Sequence, residues 1–191
     1  MTDGIDGHLD KAKRFEQTAL PNLDHVYRAA VALCGRSNEA DDLTQTTFMK
    51  ALERFDTFEP GTNCKAWLFQ ILRNLWIDQL RRKKVAGSAV PLDEVLVAQE
   101  AEVQETVWSD AEDLLENFSD DQVIAALRQL PDDQRLTLFL VDVEQLSQQE
   151  VAEITGVAVG TVKSRTSRAR REFKNRLTSY AKDMGFKGCQ R

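Results

Sequence analysis

The sequence has few of the residues that support metal, redox or acid–base chemistry. Its three cysteines, Cys34, Cys64 and Cys189, form an odd set without CxxC or Cys/His spacing, which argues against a disulfide framework and against a zinc site. Its two histidines, His8 and His25, have no carboxylates or cysteines at the spacing of a metal or proton-transfer site. A phosphate-cradling, glycine-rich loop is also missing. We therefore expect no cofactor, no bound metal and no enzymatic activity.

Long apolar runs are absent as well. No stretch approaches the roughly 20 apolar residues that a helix needs to cross a bilayer. The first residues, MTDGIDGHLDKAKRF, lack the apolar segment of a signal peptide. We therefore predict a cytoplasmic protein without a membrane span. The hydrophobic content of 42% is sufficient for a globular fold.

Positive charge is in the minority, with 25 Lys and Arg against 31 Asp and Glu and a formal net charge of -6. This balance does not exclude nucleic acid as a ligand, because salt screens fields beyond about 8 to 10 Å and local charge decides. Eleven acidic residues and no Lys or Arg lie between Val85 and Leu127. The block opens with AGSAVP, which is typical of a chain leaving a helix. We predict an acidic, largely irregular linker here.

Apolar periodicity predicts three helices before this linker, over about residues 23–33, 37–55 and 64–82. Ser37 is a plausible N-cap of the second helix. The apolar stripe of that helix is predicted to comprise Leu43, Thr47, Met49, Leu52 and Phe55. The third helix ends in four consecutive cations, residues 81–84, which exceeds what capping of a helix terminus requires. A partner with many negative charges explains this run better.

The C-terminal half predicts short helices over residues 121–130, 132–143 and 148–155, and a last helix that begins at Gly160. Ser147 and Glu150 have the spacing of a capping box at the start of the helix over residues 148–155. Gly156 is predicted to end that helix. Two helices joined by a glycine turn form a helix-turn-helix pattern.

Five of the eleven positions from Lys163 to Phe173 are basic. The predicted buried stripe of this last helix is Val162, Thr166, Ala169, Phe173 and Leu177, which leaves the cations outward. A helical hairpin with a basic outer face is one interpretation. A recognition helix in the DNA major groove is favoured, because small residues stand between the cations and permit groove entry. Arg165, Arg170, Lys174 and Arg176 are predicted nearer the edges, where they suit phosphates.

Together these patterns predict an all-α protein of two small helical domains joined by the acidic linker. The predicted boundaries are residues 15–85 for the first domain, 86–119 for the linker, 120–182 for the second domain and 183–191 for a tail.

The segment LPDDQRLTLFLVDVEQLSQQEVAEITGVAVGTVKSRTSRARREF resembles the promoter-binding domain 4 of the extracytoplasmic-function (ECF) group of bacterial RNA polymerase sigma factors. EADDLTQTTFMKALERFDTF and KAWLFQILRNLWIDQLRRKK resemble domain 2 of the same group. The resemblance implies a non-enzymatic factor that binds the polymerase core enzyme, directs it to a promoter and helps to open the duplex. It also implies three partners: polymerase, through its β′ coiled coil and β flap, promoter DNA, and an anti-sigma factor.

The resemblance assigns roles to individual residues. The core-binding helix corresponds to Asp41, Asp42, Gln45, Thr46 and Phe48, although Phe48 is equally well explained as a hydrophobic core residue. Residues 57–64 correspond to the loop that captures a base flipped from the non-template strand. Binding of the −10 element of the promoter is assigned to eight residues: Gly61, Thr62, Asn63, Arg73, Asn74, Asp78, Arg81 and Arg82. Trp67 and Trp76 invite a stacking role, but packing in the core explains them better.

By the same resemblance, binding of the −35 element is assigned to seven residues: Thr161, Lys163, Ser164, Arg165, Ser167, Arg168 and Arg171. Many members of the group have arginine where Lys163 stands, and lysine lacks the planar fork for bidentate recognition of guanine. Two other functions fit the patterns. The chain is alternatively a sigma-like decoy that sequesters an anti-sigma factor, or a helix-turn-helix repressor, which usually dimerises to span two half-sites.

Overall fold

The computed structural model describes residues 3–86 and 121–183, and within these ranges all regular secondary structure is helical. The chain divides into two compact units, which are described separately below. The first unit is built around four α-helices: α1 (Asp3–Thr18), α2 (Leu23–Cys34), α3 (Ser37–Glu53) and α4 (Cys64–Ala86). The second is built around α5 (Asp121–Arg128), α6 (Asp132–Leu138), α7 (Gln148–Thr155) and α8 (Val159–Asp183). The predicted all-α class is therefore confirmed, whereas the predicted linker from residue 87 onward lies outside the described residues.

Helices α3 and α4 form the centre of the first unit. Leu43 of α3 and Leu68, Phe69 and Leu72 of α4 are fully buried, and these side chains supply much of the apolar area that stabilises the unit. Helix α4 is longer than predicted, since it continues to Ala86.

The predicted apolar stripe of α3 is wrong in part. Met49 and Leu52 are 58% and 41% exposed, while Ala40, Leu43, Thr44, Thr47, Phe48 and Ala51 are buried. At about 100° per residue, Met49 lies about 200° around the helix from Thr47, so these two side chains cannot face the same neighbour. Ser37 is the first helical residue, and the N-cap position belongs to Arg36, without a side-chain cap.

Helix α1 was not predicted from the sequence, which placed the start of the first domain near Phe15. The segment DGIDGHLDKAKRF contains few apolar residues, so it shows no periodic stripe. The structure continues the helix from Asp3 to Thr18 and buries Phe15. A 3-10 turn over Leu20–Asn22 then leads into α2.

The helix-turn-helix of the second unit is confirmed in detail. The Ser147 amide donates to Glu150 Oε2 at 2.9 Å, and the Glu150 amide donates to Ser147 Oγ at 3.2 Å, which completes the predicted capping box. Gly156 ends α7 with a φ of 67°, a left-handed conformation that glycine adopts readily. The buried stripe of α8 contains Val162, Thr166, Ala169 and Phe173, as predicted, whereas Leu177, which was also predicted to be buried, is only half-buried.

The helix predicted over residues 132–143 is instead two elements. The α-helical part ends at Leu138, and a π-helical turn follows over Phe139–Val143. The Glu144 amide donates to the Phe139 carbonyl at 3.1 Å, which is the i to i+5 bond of a π turn. Gln145 then adopts a φ of 54° and turns the chain toward α7.

Candidate functional site

An apolar groove lies on the surface of the first unit. Leu20 and Leu23 on one side, and Met49 and Leu52 on α3, line it and are between 41% and 58% exposed. Among the described residues these four are the exposed large hydrophobic side chains. Apolar side chains concentrated in one groove, rather than scattered singly, are typical of a surface that another protein covers.

The polar side chains of the groove lie at its rim and floor. Asp24 of α2 and Asp41 and Gln45 of α3 are exposed beside the apolar residues. Thr44 is buried in the lining, and its Oγ1 has no hydrogen-bond partner. An occupant of this groove therefore meets an apolar strip with two carboxylates beside it.

The lining of this groove includes only some of the residues that were predicted to bind polymerase. Asp41, Gln45 and Phe48 line it, whereas Asp42 and Thr46 do not. The Thr46 hydroxyl donates to the Asp42 carbonyl at 2.7 Å, within the helix. Phe48 is buried and contacts Phe15 edge-on at a centroid distance of 6.3 Å, so it is a core residue that also forms part of the groove wall.

A short exposed loop joins the 3-10 turn Phe55–Thr57 to α4. Within it the Thr62 amide and hydroxyl both donate to the Glu59 carbonyl, at 3.2 and 2.7 Å. Gly61 has a φ of 88°, and a Cβ added there would meet nothing within 4 Å, so its backbone faces open space. Asn63 Oδ1 accepts the Ala66 amide at 3.1 Å and thereby caps α4.

The side chains of α4 that were predicted to face DNA are exposed or half-buried. Arg73 and Asn74 are joined by a hydrogen bond of 3.1 Å, and Asp78 pairs with Arg81 at 3.5 Å. Arg82 is exposed beside them. The acidic Asp78 within this cationic strip can accept a hydrogen bond from a base amino group, a role that no lysine or arginine can fill.

The thiol of Cys64 lies at the first position of α4, next to the loop. It is half-buried, and burial raises the pKa of this thiol because the thiolate loses its solvation. The thiol is therefore mainly protonated at neutral pH and a poor nucleophile.

The outer face of α8 has the arrangement expected of a recognition helix. Lys163, Arg168 and Arg171 are exposed, and Thr161, Ser164 and Ser167 are half-buried between and before them. The Ser164 hydroxyl donates to the Thr161 carbonyl at 3.0 Å. Cations and small polar side chains of these types can donate hydrogen bonds to guanine and to phosphate oxygens.

The remaining arginines of α8 contact carboxylates of the same unit. Arg165 Nε lies 3.0 Å from Asp133 Oδ2, and Arg170 forms a two-pronged pair with Asp142 at 3.0 and 2.6 Å. Arg176 pairs with Glu172 at 2.6 Å and also bonds Gln129. Arg165 and Arg170, which were predicted to suit phosphates, therefore fasten α8 to neighbouring segments. Arg176, predicted in the same way, bonds both Gln129 and the preceding turn of α8.

Two family models match the chain. Sigma-70 region 2 matches residues 20–85, and Sigma-70, region 4 matches residues 120–173. The chain is 40% identical over 143 residues to the ECF RNA polymerase sigma factor EcfG of Rhodopseudomonas palustris, with 74% of this chain and 72% of the relative covered. This chain belongs to the ECF family of RNA polymerase sigma factors.

Other relatives of the sigma factor span most of its length. The ECF RNA polymerase sigma factor SigE of Mycolicibacterium smegmatis is 33% identical over 177 residues, covering 88% of this chain and 66% of the relative. Among solved structures, the sigma factor RpoE of Bartonella quintana, solved in complex with the anti-sigma factor NepR, matches with a TM-score of 0.68 and 33% identity. That match covers 87% of this chain and 98% of the other.

Sequence reasoning missed most of the groove in this sigma factor. Leu20 and Leu23 precede or begin α2 and were not assigned a role, and Met49 and Leu52 were assigned to the core. The sequence did contain a signal for the groove. Helix α3 has more apolar residues than the single buried stripe of a helix that packs on one side requires.

Neither a metal site nor a membrane span is found in the described parts of the sigma factor. Residues 3–86 and 121–183 contain no group of three His, Cys, Asp or Glu side chains that is placed to hold an ion. The helices in the same ranges also lack the combination of length and hydropathy that crossing a bilayer requires.

Proposed function

We propose that the apolar groove of the first unit is the surface through which this sigma factor binds the polymerase core enzyme. The support is the exposure of Leu20, Leu23, Met49 and Leu52 together with the acidic rim of Asp24 and Asp41. Apolar area supplies the affinity of such an interface, and the rim charges fix orientation and register. A helical segment with an apolar strip and flanking cations is the matching partner surface.

The −10 element is read by the loop and by the exposed side of α4. Gly61 lies in open space and Thr62 is exposed, with its amide bonded to the Glu59 carbonyl. Along the helix follow Arg73, Asn74, Asp78, Arg81 and Arg82. Unpairing a base costs a few kcal/mol, so a loop that receives a flipped base converts recognition into strand opening. Asn63 contributes chiefly by capping α4, since its side-chain oxygen is already occupied.

The −35 element is read as duplex DNA by the outer face of α8. Lys163 and Arg168 contact base edges or phosphates near the helix N-terminus, with Ser164 and Ser167 between them and Arg171 beyond. Arg165 and Arg170 act mainly by holding α8 in place through Asp133 and Asp142. One observation supports this proposal above all. The exposed cations of α8 are distinct from its arginines that are paired with carboxylates: Lys163, Arg168 and Arg171 are exposed, and Arg165 and Arg170 are paired.

Regulation is proposed to come from an anti-sigma factor that holds the sigma factor inactive. The support is the similarity to RpoE, which was solved in complex with the anti-sigma factor NepR. The sigma factor itself is proposed to be non-enzymatic and to act in the cytoplasm, as an initiation factor.

Two variants test the proposal in a reconstituted polymerase. Met49→Lys places an ammonium in the groove, and we expect at least a tenfold loss of affinity for the core enzyme, because the charge is desolvated on binding. Gln17→Lys, at an exposed position of α1 outside the groove lining, is the matched control and should bind as the wild type does. Equal binding by both variants would remove the groove from the interface.

A further inference from the structure

An aromatic cluster lies directly beneath the exposed loop of the first unit. Phe55 and Phe58 are nearly parallel at a centroid distance of 5.8 Å and an interplanar angle of 14°. Trp67 completes a triangle, 5.1 Å from Phe58 and 6.3 Å from Phe55. These separations lie in the range in which aromatic side chains attract one another through their ring edges and faces.

The triangle joins the two ends of the loop. Phe58 is the last residue before the exposed residues 59–63, and its amide donates to the Phe55 carbonyl at 3.0 Å. Trp67 lies in the first turn of α4, and its amide donates to the Asn63 carbonyl at 3.1 Å. The ring contact between Phe58 and Trp67 therefore clamps the chain on both sides of the loop.

A second layer of packing supports the clamp from below. Phe15 of α1 meets Phe55 edge-on, at 5.2 Å and 87°. Phe15, Phe55 and Phe58 are buried, whereas Trp67 is half-buried and has one side toward solvent. The ring of Trp67 is thus the member of the cluster that is closest to the surface on which the loop stands.

We propose that Phe58 and Trp67 are positioning residues that hold the loop of residues 59–63 in the conformation that receives a DNA base. This inference rests on the proposed role of the loop at the −10 element. The loop itself is short of internal restraint, since a Cβ at Gly61 would meet nothing within 4 Å and the Thr62–Glu59 hydrogen bonds span a single turn. A clamp outside the loop fixes its geometry before DNA arrives, which lowers the ordering cost of binding.

Substitutions at Trp67 separate positioning from simple packing. Trp67→Leu keeps an apolar side chain but removes the ring contacts with Phe58, and Trp67→Phe keeps a ring. Trp76→Phe is the matched control, because Trp76 is a buried tryptophan of the same helix that lies more than two turns from the loop. Holoenzymes are reconstituted from each full-length chain and polymerase core enzyme.

The readout is binding to forked promoter DNA that carries an abasic site at each non-template −10 position in turn. The wild type should bind the intact fork at least tenfold more tightly than the fork whose abasic site removes the captured base. We expect Trp67→Leu to lose most of this ratio, Trp67→Phe to retain most of it, and Trp76→Phe to keep it. Affinity for the core enzyme should stay unchanged in all three.

Each outcome bears on one hypothesis. A wild type that shows no abasic effect at any position overturns the base-capturing role of the loop. A wild type with the effect, and a Trp67→Leu variant that keeps it in full, overturns the positioning role alone. The positioning role is also overturned if Trp67→Leu loses affinity for the core enzyme as strongly as for the fork, because the damage to the chain is then general. Phe58→Leu should in that case show the same loss of both affinities.

Discussion

Replacing Asp142 by alanine removes the carboxylate that holds Arg170 within the second unit. Arg170 Nε and Nη2 donate to the two oxygens of Asp142 at 3.0 and 2.6 Å, and the two side chains are only 28% and 20% exposed. The pair joins the π-helical turn Phe139–Val143 to the recognition helix α8, so its loss should loosen the element that is proposed to read DNA.

The expected cost follows from the geometry and the burial of the pair. Breaking a fully buried ion pair costs about 3 to 5 kcal/mol, and an exposed pair contributes about 0 to 1 kcal/mol. Because roughly a quarter of each side chain remains in water, Arg170 can recover part of its solvation, and we expect a loss of about 2 kcal/mol. The double variant Asp142→Ala/Arg170→Ala should be no less stable than Asp142→Ala alone, since the half-buried cation that lost this carboxylate is then gone.

Native-state hydrogen exchange measures this loss where it occurs. Amides of α8 should open with a free energy about 2 kcal/mol lower in Asp142→Ala, whereas amides of α3 and α4 should be unchanged. Asp78→Ala is the matched control, because its pair with Arg81 is longer, at 3.5 Å, and largely exposed. If Asp142→Ala lowers the opening free energy of the α8 amides as little as Asp78→Ala lowers that of the α4 amides, the Asp142–Arg170 pair does not hold α8. Arg170 then returns to the phosphate role that the sequence predicted.

Three further predictions concern single positions. Arg168→Ala should weaken binding to the −35 duplex by about 1 to 3 kcal/mol for the preferred sequence and less for others; an equal loss on all sequences makes Arg168 a phosphate contact. Gln145→Gly should have a free energy of unfolding about 1 kcal/mol higher than Gln145→Ala in urea titrations, since both lose the bond from Gln145 Nε2 to the Asp142 carbonyl and only glycine relieves the φ of 54°; equal stability would contradict the strain. Burial raises the pKa of Cys64, and the thiolate is the reactive form, so iodoacetamide at pH 8 should label Cys64 more slowly in the folded chain than in urea; equal rates would contradict the shift.

Local hydrogen bonding made parts of the second unit predictable from the sequence. Ser147 and Glu150 satisfy each other across three residues, and Gly156 supplies a left-handed backbone one residue after the helix ends. The inward positions of α8 follow from its helical period alone. These features depend on residues within about two helical turns, which the sequence displays directly.

Features that depend on distant residues could not be predicted in this way. Asp142 and Arg170 are 28 positions apart, so the sequence showed Arg170 only as one cation in a basic run. Met49 and Leu52 are apolar residues on a helix, and only the packing direction of α3 decides that they are exposed. The aromatic contacts of Phe15 with Phe48 and Phe55 likewise join segments that show no common pattern.

Mapping of transcript starts with purified components is the most direct test of promoter-directed initiation by this sigma factor. Polymerase core enzyme freed of sigma factors is mixed with this chain and genomic DNA, and the 5′ ends of the transcripts are sequenced. We expect discrete starts that share upstream −35 and −10 sequences and that disappear when the chain is omitted. A chain that binds the core enzyme but yields no reproducible starts above the core enzyme alone would contradict this expectation.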